Sequence, residues 1–297
     1  MSDLKVSIVM PVYNRGYLLE KVLYHLTSQE YRNIEYVVVD DGSTDNSREV
    51  ISKFPMVKYI YRENGGCAAA RNTGIFNATG DIILFIDSDV FVPSDIATIH
   101  AKYHRLYPDS IIQGQIIRII NVEDAFRRKF SLFDYSRSFF DTANVSVAKK
   151  HLEKVGGFDE DFKKGWEDLE IGLRLTKNGL KIKRILKEGY VWHYEGDYSY
   201  QAIMDFFEDR AREGRAGVDF YKKCPTFQVK MMTMASPFFI WLADKIFKPE
   251  YYKSQKFYDR IKKLIERNKI SKAISMVRLA GYCFYFEGVR ERLRDKN

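Results

Sequence analysis

The stretch Asp81-Ile82-Ile83-Leu84-Phe85-Ile86-Asp87-Ser88-Asp89-Val90 sets an unbroken apolar run, Ile82 to Ile86, against two carboxylates one residue apart. A short apolar run without polar alternation reads as a strand covered on both faces, which is the habit of parallel sheets. The acids at its end are either an ordinary polar strand terminus or a holder of positive charge. The tripeptide alone decides nothing, so the neighbouring segments must.

Upstream, β-branched runs alternate with amphipathic stretches. Lys5 to Met10, Ile34 to Val39, Val57 to Tyr61 and Asp81 to Ile86 read as strands. Between them, Gly16 to Gln29, a segment capped by Ser43 or Thr44 and running to Phe54, and Cys67 to Ala78 read as helices. Strand and helix in strict alternation predict an α/β fold, with a mostly parallel sheet and helices on both faces. Farther on, a strand is expected within Ser110 to Ile120, followed by an aromatic, basic connection over Val122 to Phe140. A helix over Trp166 to Asn178 ends at Gly179, and short strands follow over Leu180 to Leu186 and Gly189 to His193. Beyond Tyr198 the chain reads as helical. The expected division is a catalytic domain over 1–220 and a helical region over 221–297.

The 297 residues suffice for one large domain or two ordinary ones, and 45% hydrophobic with 30% charged residues excludes a disordered chain. The net charge of +8 is concentrated: Lys248 to Asn297 holds 14 Lys/Arg and 6 Asp/Glu, leaving the rest near neutrality. Nucleic acid, an anionic membrane surface or plain solvent could face that tail. Three scattered cysteines, Cys67, Cys224 and Cys283, offer no CxxC spacing, so neither a zinc site nor a disulfide framework is indicated and a reducing cytoplasm fits. The start of the chain lacks the basic-then-apolar pattern of a secretion signal. Met231 to Ala243 is the most apolar segment. At 1.5 Å per residue it is roughly 20 Å long and cannot span a bilayer. Packed helical core is the favoured reading, and an interfacial membrane helix the alternative.

Ligands in parallel α/β sheets sit beyond the carboxyl ends of the strands. Four polar clusters fall there: Pro11 to Arg15, Asp40 to Asp45, Arg62 to Asn72, and Asp87 to Asp89. Each alone could be turn chemistry, but four in register make a polar rim. Gly65-Gly66 before a helix is either a tight turn or an approach for phosphate to backbone N–H groups. No GxxxxGK or GxGxxG motif is present, which disfavours a P-loop ATPase and a dinucleotide dehydrogenase. A hard cation such as Mg²⁺ or Mn²⁺ takes one or two carboxylates and fills its shell with water and phosphate oxygen, a role open to Asp87 and Asp89. Downstream, the acids of Gly165-Trp166-Glu167-Asp168-Leu169-Glu170 either complement a helix dipole or include a general base. His193 is either a satisfied core histidine or a further metal ligand.

Taken in order, the segments Val6 to Asn14, Val37 to Asp45, Glu63 to Ile75, Gly80 to Val90, Thr142 to Val147, Gly156 to Glu160, Trp166 to Leu175 and Val191 to Glu195 resemble glycosyltransferase family 2, the nucleotide-sugar-dependent transferases of GT-A fold. The resemblance covers about two thirds of the chain, Val6 to Glu195. It implies an inverting transfer from a nucleotide-diphosphate sugar, UDP being favoured, to a hydroxyl of a glycan or lipid-linked saccharide in polysaccharide biosynthesis, assisted by Mn²⁺ or Mg²⁺. It places Pro11, Tyr13, Asn14, Asp41, Gly66, Arg71, Asp87 and Ser88 around the donor, with Asp41 accepting from the base. Asp89, with Asp87 and His193, would hold the metal. Asp168 would be the catalytic base and Glu167 an orienting or acceptor-hydroxyl contact. Asn144, Trp166 and Arg174 would support the acceptor.

The basic helical end departs from relatives that carry long membrane spans, which favours a non-processive transferase in the cytoplasm, peripheral on the inner face of the plasma membrane. Nucleic acid is not expected as a partner, and a homo-oligomer is left open. Two alternative functions are a sugar nucleotidyltransferase, for which Arg15 and Gly16 make a poor pyrophosphate loop, and a non-catalytic binding protein on the same fold.

Overall fold

The computed structural model describes residues 3–131, 134, 140–162, 165–196 and 198–295. Part of the Val122–Phe140 connection lies outside the described residues. The chain separates into two compact units: residues 1–163 with Glu167–Glu195, and residues 164–166 with Gly196–Asn297.

The first unit opens with the strand–helix alternation its sequence predicts: β1 (Val6–Val12), α1 (Gly16–Thr27), β2 (Ile34–Asp41), α2 (Ser47–Ser52), β3 (Val57–Arg62), α3 (Cys67–Asn77) and β4 (Ile82–Phe85). Helix α2 is shorter than expected: Asn46 stands at its N-cap, because Ser43 and Thr44 are engaged with Asn14 instead. It continues with β5 (Val90–Phe91), α4 (Ile96–Leu106), β6 (Ser110–Gln113), β7 (Ile116–Ile119), β8 (Val145–Ala148), α5 (Lys149–Lys154), α6 (Glu167–Lys177), β9 (Lys181–Arg184) and β10 (Val191–Tyr194). Seven strands form one sheet in the order β3-β2-β1-β4-β8-β6-β9, with β8 antiparallel to both neighbours. A second sheet, β5-β10-β7, pairs His193 with Val90 and with Arg118.

The central strands β1, β2 and β4 are largely apolar because both sheet faces are covered there, whereas the outermost strands β3 and β9 carry lysine and arginine. Alternate residues point to opposite faces. Ile8, Met10, Val38 and Leu84 pack with Leu19, Leu23 and Leu26 of α1, while Val9, Val37, Val39 and Phe85 join Ala70 and Ile75 of α3 and Ile171 of α6. Strands β1 to β4 are mutually parallel. Their carboxyl ends therefore share one edge, and Asp41 stands directly opposite Arg62.

The second unit is helical: α7 (Tyr200–Lys223), α8 (Phe227–Thr233), α9 (Pro237–Ile246), α10 (Pro249–Tyr252), α11 (Gln255–Glu266) and α12 (Ile270–Arg294). The division expected at 220 falls inside α7, one continuous helix capped by Ser199, whose side chain accepts from the Ala202 N–H. Helices α7 and α12 meet where neither has a side chain. A Cβ at Gly214 would lie 2.0 Å from the Tyr285 carbonyl oxygen, and one at Gly288 would lie 1.9 Å from that of Ala211. Such glycines let two backbones touch. Buried Phe207, Phe257 and Phe284 fill the space beside this seam.

The apolar segment Met231–Ala243 is not one packed helix. Met234 takes a left-handed φ of 47° and ends α8, and Pro237 opens α9 at a position that needs no N–H donor. Among the described residues, no helix is long and apolar enough to cross a membrane.

Candidate active site

At the shared strand edge lies a cavity of 270 Å³ lined by Pro11, Val12, Tyr13, Arg15, Asp41, Cys67, Ala70, Arg71, Asp87, Ser88, Asp89 and His193. The loop after β4 is a tight turn, with the Val90 N–H donating to the Asp87 carbonyl at 3.1 Å. This turn sends the two acids to different partners.

Asp87 accepts from Arg71 Nη2 at 2.9 Å. Arg71, only 4% exposed, also donates through Nη1 to Glu167 at 3.0 Å and to Asp168 at 3.4 Å. One guanidinium thus gathers three carboxylates from two distant parts of the chain. Burial works against its charge, but the surrounding anions more than offset this and hold Arg71 protonated well above its ordinary range. Truncating such a buried cation would leave uncompensated charge, a cost of about 3–5 kcal/mol.

Asp168 Oδ2 accepts from both the N–H and the hydroxyl of Thr142, at 3.1 and 2.9 Å. Burial, reinforced by Glu167, Asp87 and Asp141, outweighs Arg71 and pushes its pKa up to about 8. A carboxylate that holds its proton that tightly is suited to accept one near neutrality. Thr142 was missed by the sequence reading, although it opens the Thr-Ala-Asn segment quoted for Asn144.

Asp89 accepts from Arg15 Nη2 at 3.1 Å through Oδ2. Its Oδ1 lies 3.4 Å from His193 Nε2 and, among the described residues, has no hydrogen-bond partner. Burial pulls the imidazole down, but the Asp89 and Glu195 carboxylates overcome it and lift His193 to about 9. The strand pairing of β10 with β5 puts His193 opposite Val90, next in sequence to Asp89. In the sequence Arg15 belongs to the first polar strand-end cluster and to a weak pyrophosphate loop, with no partner indicated. Here it is a cation lodged against Asp89.

A carboxylate with an orphaned buried oxygen beside an imidazole is a chemically suitable pair for Mn²⁺ or Mg²⁺. Among the described residues no group of three or more His, Cys, Asp or Glu is arranged to hold a metal ion. Protein donors would thus form only part of the shell, as expected where phosphate and water complete it.

Several expected residues have other work. Asp41 accepts from the Gly66 N–H at 2.8 Å, the Gly65 N–H at 3.1 Å and Arg62 at 2.6 Å. Its carboxylate braces the Gly65-Gly66 loop, and both of its oxygens are engaged within the protein. Gly66, with a φ of 91°, supplies the turn that aims its N–H at Asp41 before α3 begins. Asn14 accepts from the Thr44 N–H at 2.8 Å, and its own N–H donates to Ser43 Oγ at 3.0 Å, tying two rim loops together. Pro11, Tyr13 and Ser88 line the cavity, Tyr13 being half exposed.

Asn144 and Arg174, two of the acceptor-side candidates, are not among the residues that line the cavity. Asn144 is fully buried, donating to the Gln115 and Gly189 carbonyls and facing His100 Nε2 at 3.0 Å, so all its polar atoms are spent inside the core. Arg174 pairs with Glu170 and donates to the Gly157 carbonyl at 2.8 Å, bracing the turn after α5. Trp166 belongs to the second unit, where its Nε1–H donates to the Glu213 carbonyl at 2.9 Å and its ring faces Phe220 and Tyr285.

Residues 7–159 match the sequence model of glycosyl transferase family 2. The chain belongs to that family. Residues 125–196 also match a model described as the N-terminal domain of galactosyltransferase. The validoxylamine A glucosyltransferase of Streptomyces hygroscopicus subsp. jinggangensis is 31% identical over 222 residues, 60% of this chain and 52% of that protein. The glycosyltransferase GlyA of Streptococcus pneumoniae is 43% identical over 156 residues, 51% of this chain and 22% of that one. The chain therefore spans about half or less of the length of these curated relatives.

Among solved structures, the mannosyltransferase PcManGT from Pyrobaculum calidifontis, in complex with GDP-Man and Mn²⁺, matches with a TM-score of 0.60 at 18% identity, covering 100% of this chain and 89% of that one. S. aureus TarS 1–349 in complex with UDP matches with a TM-score of 0.56 at 18% identity, covering 99% and 92%. These likenesses establish the GT-A fold: a mixed α/β unit with a mostly parallel central sheet, followed by helices.

Proposed function

We propose that this protein is an inverting glycosyltransferase that moves a sugar from a nucleotide-diphosphate sugar, of the UDP class, to a hydroxyl of a saccharide or lipid-linked saccharide acceptor in glycan assembly. The observation that carries it is the Arg71 hub: Arg71 and the strand-end acid Asp87 line the cavity, and the same guanidinium also holds the helix-start acid Asp168. Family membership and the UDP and GDP-Man complexes of proteins with this fold support a nucleotide-sugar donor.

In this reading the nucleoside enters between Pro11, Tyr13 and the Gly65-Gly66 loop. Asp168, held by Thr142 on one oxygen and Arg71 on the other, removes the proton of the acceptor hydroxyl. The oxygen's electron pair forms the new bond to the anomeric carbon, and the bond from that carbon to the diphosphate oxygen breaks on the opposite face. The transition state carries oxocarbenium character. Bound Mn²⁺ or Mg²⁺ would supply charge stabilisation to the departing diphosphate, with Asp89 and His193 as its protein ligands. Arg15 provides a second positive group at that end. Most of the rate comes from placing the base, acceptor and leaving group in line.

The test is a panel of nucleotide sugars with Mn²⁺, read by calorimetric binding and by slow donor hydrolysis. A UDP-sugar is expected to bind, with Asp89→Ala weakening the cation-dependent part by roughly 100-fold. Binding of none of the panel, or release of pyrophosphate from UTP and a sugar phosphate, would sink the proposal.

A further inference from the structure

Helix α9 turns an apolar face to solvent. Phe238, Trp241 and Ile246 are 61%, 57% and 59% exposed, and Leu242 is 38% exposed. With Lys245 they occupy positions i, i+3, i+4, i+7 and i+8, one continuous stripe of a helix. The opposite side is already used: Phe239, Ile240 and Ala243 pack with Val218, Tyr285 and Val289. The stripe is thus left over after the core is complete. In α8 the same pattern recurs, with Phe227 79% and Met231 48% exposed. An exposed apolar cluster of this kind marks an interaction surface.

Its surroundings select the occupant. From Lys222 to Lys256 the chain carries seven lysines against two acids, Asp244 and Glu250. Asp244, the acid within α9, is paired with Arg290, so its charge is offset. Lys245 lies with Nζ 5.7 Å from the centre of the Trp241 ring. Two copies of such a face would repel, whereas an anionic surface would attract it. An apolar stripe along a helix of ten residues, with Trp and Phe in the stripe and lysine ends beside it, is the chemistry of a helix lying in the headgroup layer.

We propose that the exposed faces of α8 and α9 dock this protein on an anionic lipid bilayer surface. The apolar anchor lies in α8–α9, and the basic residues beyond Lys248 are auxiliary. Most of that tail is structural: α12 supplies buried Tyr285, Phe284 and Val289, so its removal would dismantle the unit before it tested any surface.

The experiment is sedimentation of the full chain with vesicles of phosphatidylcholine, alone or mixed with phosphatidylglycerol. The protein should pellet with the mixed vesicles, and raised salt should release it in part. The double variant Phe238→Ser/Trp241→Ser should lose at least roughly tenfold in apparent vesicle affinity. Lys245→Glu/Lys248→Glu should lose its preference for phosphatidylglycerol. Both variants alter exposed side chains, and an unchanged thermal melt with unchanged nucleotide binding keeps this outcome separate from that of the transferase reading. No pelleting by the wild-type chain, equal pelleting with both vesicles, or unchanged pelleting by the Phe238/Trp241 variant overturns the proposal. A protein dimer that the same variant dissociates, without vesicle binding, overturns it in favour of a second copy.

Discussion

The strand edge of the first unit and the α7–α12 seam of the second are both close-fitting, but by opposite means. At the strand edge, charge concentrates: three carboxylates on Arg71, and a fourth on Arg15. At the seam Gly214 and Gly288 let backbones touch, and the ion pairs that join α7 to α12, Arg215 with Glu291 and Arg292 with Asp219, lie at the solvent-accessible margin. The first arrangement is poised for ligands, since each ion pair can be re-partnered. The second has no such freedom and serves only to hold.

The largest expected effect breaks the first arrangement without disturbing its shape. Asp168→Asn should lower the transfer rate by about 10³-fold, as loss of a general base does, while donor affinity stays nearly constant. A single-turnover assay beside calorimetry checks the split; equal loss of binding would remove Asp168 as base. The seam responds in stability alone. Gly288→Val should cost about 2–3 kcal/mol through forced separation of α7 and α12. Urea denaturation measures this, and nucleotide binding in the absence of denaturant should persist.

Arg15 gives a smaller effect with an opposed sign. Its guanidinium pairs with Asp89, so Arg15→Ala should tighten Mn²⁺ binding by roughly tenfold in electron paramagnetic resonance titrations. The same variant should weaken the nucleotide diphosphate. If both affinities fall together, Arg15 is a structural support for Asp89. The smallest effect is in pH. A base lifted to about 8 is protonated at neutrality, so kcat/KM should rise with pH up to about 8 and then level. Arg71 lowers that pKa, so the shorter and less branched Arg71→Lys should move the rise to higher pH. A shift the other way would contradict the hub.

The sheet and its four polar strand ends were legible because burial on both faces forces unbroken apolar runs, and Asp87 and Asp89 stand out against one. The Asp168 and His193 contacts were legible only through resemblance, since no spacing links residues that far apart. Asn144, Arg174 and Trp166 were expected on the acceptor side, and the structure adds contacts that no sequence motif displays. A polar or aromatic residue in a motif looks the same whether it meets a ligand or satisfies buried carbonyls, and all three are engaged within the protein. Arg15 and Thr142 escaped because their importance lies in what they touch.

The linear chain by itself determined the alternation of strand and helix, the acid-rich edge and the basic helical end, because these follow from local propensity and burial period. Only the tertiary structure decided that one arginine joins Asp87 to Asp168, that Asp41 braces a loop, and that half of the most apolar helix faces solvent. Those depend on which side chains meet across long separations, and such meetings are set by packing of the whole unit.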